Sequence, residues 1–272
     1  VKKAWIASAL ALSAVVSAST ATGDEATTTT TVTTNAAHGV TVQYSGSVLI
    51  FQVADILISG EFADDTYSAS ARFTASGLAA LFTDADIEAG VSGYRTGAEL
   101  QPWRYNHLNH ASSKNRTVGI DFPDGVATPN IDPPFGNMGE PPATDEERAG
   151  ARDPISALLS MGLGAVAEDG SHCNGRIPVF DGRARYNLRF EDGGRKDIRT
   201  RAWRGEAIIC LAYYEPIAGY EADEFPSAED IAEPIVFWLA PVNDGQMLIP
   251  VKIRTNAGFG GATITARSMQ TW

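Results

Sequence analysis

Tyr67-Ser-Ala-Ser-Ala-Arg-Phe-Thr-Ala-Ser76 alternates without a break. Tyr67, Ala69, Ala71, Phe73 and Ala75 are apolar or small, and the residues between them are polar. A period of two puts the two sets on opposite faces of an extended chain, so residues 67–76 read as a half-buried β-strand. The same alternation recurs along the chain. Val118, Ile120 and Phe122 carry it, then Tyr186, Leu188 and Phe190. Ile249, Val251 and Ile253 carry it again, as do Ala262, Ile264 and Ala266. Further strands are expected near 40–59, 87–95, 101–111, 196–204, 207–215 and 234–240. Asp124-Gly125, Asp192-Gly193-Gly194 and Asn243-Asp244-Gly245 punctuate them as turns. Many short strands with turn signals between them predict a large antiparallel sheet.

Two stretches read as helical. Ser76–Phe82 is short. The other starts at Asp153, a capping residue, with Pro154 at the first helical position. It runs to Leu163 with Ile155, Leu158, Leu159 and Leu163 on one stripe. The Pro/Gly-rich stretch 129–150 before it is long for a loop in a compact domain and reads as a lid or a mobile segment.

Residues 1–21 have the layout of a secretory signal peptide: Lys2 and Lys3, an uncharged run from Ala4 to Val16, then small residues with cleavage after Ala18 or Ala21. The run is too short to span a bilayer, which takes about 20 apolar residues. No cysteine lies beside the cleavage site, so a lipid anchor there is not expected. Residues 22–38 are a Thr/Ala-rich linker, including the unbroken run Thr27–Thr31. They have too little apolar surface to offset the entropy of ordering. Residues 39–272 are expected to form a single β domain.

The formal net charge of the 272 residues is -12, and losing Lys2 and Lys3 makes the remainder still more acidic. Such a body repels nucleic acid and anionic headgroups, so nucleic-acid binding is not expected. Two cysteines are present, Cys173 and Cys210. After export an even, small count suggests one disulfide. A free or catalytic thiol pair is the alternative, although no C-x-x-C occurs.

Gly162-Leu-Gly-Ala-Val-Ala167 matches G-x-G-x-x-A, but a helix ends there instead of opening, so no nucleotide cofactor is expected. His107 and His110 are three apart, which on a strand puts the imidazoles on opposite faces. His172 stands alone beside Cys173, and no metal set is read. Ser156, His172 and Asp181 could be cast as a triad, yet no G-x-S-x-G elbow is present. Ser156 is more simply an early-helix residue, and Asp181-Gly182 a turn. No catalytic residue is assigned.

A set of segments carries a family resemblance. ARDPISALLSM (151–161) is followed by Cys173 and VFDGRARYNL (179–188). Cys210, PIAGY (216–220), VFWLAPV (236–242) and PVK (250–252) follow in that order. With YSASARFTASGLAALF (67–82) they resemble the domain-of-unknown-function 3108 family of exported proteobacterial proteins. The resemblance implies an envelope location and an all-β fold. That fold would be a large, strongly curved antiparallel sheet, an open barrel or spiral, with one or two short helices packed against it. Its pattern is similar to periplasmic lipoprotein carriers and to spiral-shaped envelope-integrity proteins. The family's two cysteines match Cys173 and Cys210, which adds to the case for a bridge. It has no catalytic residue to carry over.

These readings lead to an expected periplasmic, non-enzymatic protein that binds a lipid, another hydrophobic ligand or an envelope protein. An apolar cavity of about 300 Å³ or a little more is expected beside the helix, at the lower end for ligand pockets. Ala71, Leu159, Met161, Trp203 and Trp238 would line it. The alternatives are an envelope hydrolase acting on glycan or lipid, and a structural scaffold with a filled core. Oligomeric state is not read from the sequence.

Overall fold

A computed structural model describes residues 38–111, 115–163, 173–257 and 260–272. The expected leader, nearly all of the Thr/Ala linker, His172 and the end of the G-x-G-x-x-A match lie outside these residues. Seven strands come first: β1 His38–Val48, β2 Phe51–Phe62, β3 Thr66–Ala75, β4 Asp86–Thr96, β5 Glu99–Asn109, β6 Thr117–Asp121 and β7 Thr128–Asp132. Two helices follow, α1 Asp145–Arg148 and α2 Pro154–Leu163. Then come β8 Gly175–Phe180, β9 Arg185–Arg199, β10 Arg204–Ala218, α3 Ala228–Ala232, β11 Ile235–Val242, β12 Met247–Ala257 and β13 Gly260–Thr271.

Among the described residues the strands make one antiparallel sheet of 13, ordered β7-β6-β5-β4-β3-β2-β1-β13-β12-β11-β10-β9-β8. Within β1–β7 and within β8–β13 each strand pairs with its sequence neighbour, as hairpins dictate. The remaining pair is β1 with β13, which zips the two meanders together from Val40↔Thr271 to Val48↔Ala262. A twisted sheet of more than about ten strands must curl. This one curls around α2, which touches β3, β4 and β5 of the first meander and β8 and β12 of the second.

The sheet does not close into a barrel, since β7 and β8 do not pair. The segment between them bridges the gap. Arg152 N–H donates to Pro178 O at 2.9 Å, and Phe180 N–H donates to Arg152 O at 2.8 Å. The Arg152 side chain reaches across, its Nε donating to Leu100 O of β5 at 3.0 Å. Arg148 donates to Ala127 O beside β7, and Arg185 of β9 donates to Glu147 O of α1. Gly182, at φ +106, sits so close to β6 that a Cβ would lie 2.5 Å from Val118 Cγ1. An unpaired strand edge is a liability, and the end of β8 is covered by Arg152, which bridges to Val179.

Several expectations change. The stretch 40–59 is two strands, β1 and β2, turned at Leu49 and Ile50. Ser76–Phe82 holds only a 3-10 turn at Ala79–Leu81. Asp192-Gly193-Gly194 is not a hairpin turn but a bulge inside β9, where Ile208↔Arg195 steps to Cys210↔Asp192. The stretch 129–150 is not a free loop. It contains part of β7 and all of α1, whose Thr144 and Glu147 form a capping box. Glu140 N–H also donates to Tyr220 O, and Gly219 N–H to Pro141 O.

The main helix begins as expected. Asp153 Oδ1 accepts from the N–H groups of Ile155 and Ser156, both at 2.9 Å, which satisfies two of the orphan donors of a helix start. The single apolar stripe is replaced by burial on nearly every side: Ile155, Ser156, Ala157, Leu159, Ser160, Met161, Gly162 and Leu163 are all buried. A helix enclosed by a curled sheet has no solvent face to keep polar. It divides the interior in two. Ile155, Leu159 and Leu163 join a core with Val40, Val42, Phe62 and Val251. Met161 joins a second with Phe190, Ile208, Phe237 and Leu239.

Candidate functional site

Because α2 lies where a ligand would lie in an open barrel, its surroundings come first. Its N-terminal turn carries a buried polar relay. Ser156 Oγ donates to Asp153 Oδ2 at 2.5 Å, and the Tyr67 hydroxyl is 2.6 Å from Ser156 Oγ. Asp153 and Ser156 have no exposed surface. Burial pushes the Asp153 carboxyl up to about 6, against the pull of the donors it accepts from. Burial likewise holds the Tyr67 hydroxyl well above its ordinary range.

A second group of polar aromatics lies on the inner side of β5, β9 and β10. The Tyr105 hydroxyl is 3.1 Å from His107 Nδ1. The Tyr186 and Tyr214 rings pack at 4.6 Å between centroids, and the Tyr214 and Tyr220 hydroxyls are hydrogen-bonded. Burial raises all four tyrosine hydroxyls and lowers His107. The tyrosines keep their protons near neutral pH, and burial makes the His107 imidazolium lose its proton more readily than a free imidazole. Within this group Tyr105 is paired with His107 and Tyr214 with Tyr220.

Ser156 and Asp181 are placed as the helix-start and turn residues they were read to be, and His172 lies outside the described residues. Ser156 is committed to Asp153 and Tyr67, and Asp181 Oδ1 accepts from the N–H groups of Arg183 and Ala184 in the turn before β9. His110 Nε2 lies 3.2 Å from Glu88 on the outer face, away from His107. Among the described residues no three His, Cys, Asp or Glu side chains gather as a metal set. Cys173 and Cys210 are bonded to each other, tying the chain ahead of β8 to β10.

The residues expected to line one cavity are spread over three places. Ala71 lies on the inner side of β3 between Ile58 and Ala89, against the first core. Leu159 belongs to that core and Met161 to the other. Trp203 and Trp238 pack at the margin of the first core, Trp238 under the Lys252 ammonium at 4.9 Å. The apolar seam beside Leu159, lined also by Val40, Val42, Phe62 and Met247, has room for only about 30 Å³. Along that seam α2 leaves little room. Larger hollows open outward: one of about 430 Å³ beside Met161 and Phe190, and one of about 490 Å³ over β2–β5.

The Asp153–Ser156 half of the relay had a sequence signal, a capping residue with a hydroxyl three positions on. Tyr67 lies 89 residues from Ser156 and had none.

The sequence matches the model of a family described as "Protein of unknown function (DUF3108)" over residues 25–267. No curated protein matches it. Among solved structures, the beta-barrel-like protein of domain of unknown function DUF1849 from Brucella abortus aligns with a TM-score of 0.53 and 10% identity, over 87% of this chain and 98% of that one. That likeness is one of fold alone. A "putative lipoprotein" from Parabacteroides distasonis aligns over 85% of this chain and 95% of its own, at 9% identity and a TM-score of 0.34.

Proposed function

The chain belongs to the DUF3108 family, whose description assigns no activity, and from that premise we propose an exported, non-enzymatic binding scaffold of the cell envelope. Its working surface is the outside of the sheet. The leader-like residues 1–21, the bonded cysteine pair and the strongly acidic body support export. One observation carries the rest: the apolar seam beside Leu159 is nearly filled by α2, while the hollow of about 430 Å³ beside Met161 opens outward and is lined in part by the charged Glu99 and Arg152. The seam of about 30 Å³ holds roughly one water, against about 300–1,000 Å³ for ligand pockets. The buried relay at Ser156 gives a substrate no access.

The test is native mass spectrometry of protein isolated from the envelope without detergent, alongside titration with a fluorescent fatty-acid probe. The expected result is a bare chain lacking its first 18 or 21 residues, and no saturable probe binding. A full-length chain found in the cytosol overturns export. A stoichiometric lipid mass, with probe binding blocked by Ala71→Trp, overturns the filled scaffold.

A second reading is favoured by the lining of the seam, which is almost wholly apolar and drawn from β1, β2, α2 and β12. A shift of α2 away from β12 would admit an acyl chain. The same titration separates the two readings.

A further inference from the structure

On the face turned away from α2, strands β2–β5 carry a hollow of about 490 Å³. Its floor is two rows of side chains set by strand register. Glu61↔Ser68, Ser68↔Ser92 and Ser92↔Arg104 make one row. Ser59↔Ser70, Ser70↔Gly90 and Gly90↔Asn106 make the other. Thr41 of β1 extends the second row, its Oγ1 2.8 Å from Ser59 Oγ.

A tryptophan stands at each side. Trp272 pairs with Gly39 through both backbone groups, and its indole lies over that glycine so closely that a Cβ there would be 2.1 Å from the ring. Trp103 sits at the bulge opposite Ser92 and Gly93, its ring edge-on to Tyr94 at 4.6 Å between centroids. Trp272 is 57% exposed and Trp103 40%. Exposed indoles facing a hollow leave apolar area in water at about 25 cal/mol per Å², which a covering ligand would recover.

We propose that this hollow binds an uncharged, extended oligosaccharide of β-linked pyranose rings. The proposal rests on the reading that the outer face is the working surface. Pyranose rings have apolar C–H faces, which fit the two indoles, and a rim of hydroxyls. The serines, with Asn106, Arg104 and Glu61, offer donors and acceptors to that rim. A lipid chain would strand the floor hydroxyls without partners. A peptide strand finds no free ladder here, since every floor strand is paired on both sides. Arg104 is offset by Asp121 of β6, 3.6 Å from its Nε, and the body is acidic, which disfavours an anionic chain. The strand carrying Gly39 and the strand carrying Trp103 are about 19 Å apart at ~4.8 Å per strand. Between them a flat, β-linked chain lies better than a coiled α-linked one.

The test uses the full exported chain with chitotetraose and cellotetraose at millimolar concentration, read by saturation-transfer NMR and tryptophan fluorescence. Binding of one or both is expected, with maltotetraose at least tenfold weaker. Trp103→Ala and Trp272→Ala should each weaken binding about tenfold, Trp103→Phe about threefold, and Ser70→Trp should abolish it. Near-UV circular dichroism checks that each variant is folded. No transfer from either β-linked sugar overturns the proposal, as does equal binding of maltotetraose or unchanged binding in both tryptophan variants that remain folded. The fatty-acid titration is independent, so failure of the glycan site and failure of the filled-scaffold reading are told apart.

Discussion

Ser156 donates its hydroxyl hydrogen to Asp153 at 2.5 Å in a place that water does not reach. The contact closes the first turn of α2 and, through Tyr67, fastens that turn to β3. Removing the Ser156 hydroxyl strands two buried groups at once. Ser156→Ala is therefore expected to cost about 2–3 kcal/mol, and Tyr67→Phe about 1 kcal/mol. Urea unfolding of both single variants and the double variant measures it. A coupling below about 0.5 kcal/mol would mean the two hydroxyls act separately.

Asp153 also gives a pH signature. Its folded carboxyl is raised to about 6 from an ordinary 3.8. The charged form is the disfavoured one in the fold, so this group's stabilising contribution is full below about pH 4 and is lost as pH rises towards 6. Linkage sets the loss at up to about 3 kcal/mol. Asp86, Glu215 and Glu224, held low by arginines, act in the opposite direction. The effect must therefore be read as a difference. The stability gap between wild type and Asp153→Asn should change between pH 4 and 6 and be flat above 6.5. A gap independent of pH refutes it.

Leu159→Ala is expected to cost about 2–5 kcal/mol, as for a core leucine whose cavity cannot collapse. Leu158, half-buried at the seam, should cost less. The variant cavity would sit next to the 30 Å³ seam, so Leu159→Ala is also expected to bind a fatty-acid probe more tightly than the natural chain. Equal losses for the two leucines would place α2 differently from the arrangement described.

The Cys173–Cys210 bridge has a sequence separation of 37. Loop-closure entropy assigns it roughly 4 kcal/mol. The Cys173→Ser, Cys210→Ser double variant should unfold at correspondingly lower urea. Thiol titration of the denatured natural protein, isolated without reductant, should find no free cysteine.

Where strands follow a period of two, their place was plain from residues such as Tyr67–Ala75 and Ile249–Ile253. The start of α2 was equally plain, because Asp153 and Pro154 act on their own backbone. Three features were not legible. β7 (TPNID) and β8 (GRIPVF) are short and carry Pro, and they become strands only through their neighbours β6 and β9. Gly193-Gly194 has the composition of a turn, yet β10 pairs on both sides of it and forces a bulge. Burial of the polar side of α2 follows from enclosure, which no local period reports. For the sites the division is the same. Each strand's polar alternation over β2–β5 was visible, but the register that aligns Ser59 with Ser70, and Ser68 with Ser92, is a tertiary fact.

The ladder between β1 and β13 sets the timing of assembly. Val40 meets Thr271, so the first strand of the sheet to be made finds its partner last. Neither meander alone encloses α2, which rests on strands of both. Contacts of such long range make folding slow, in the millisecond-to-second range or beyond. A permuted chain that joins residue 272 to residue 38 and opens between β7 and α1 would make that pairing local. It should refold markedly faster at similar stability, which stopped-flow tryptophan fluorescence would register.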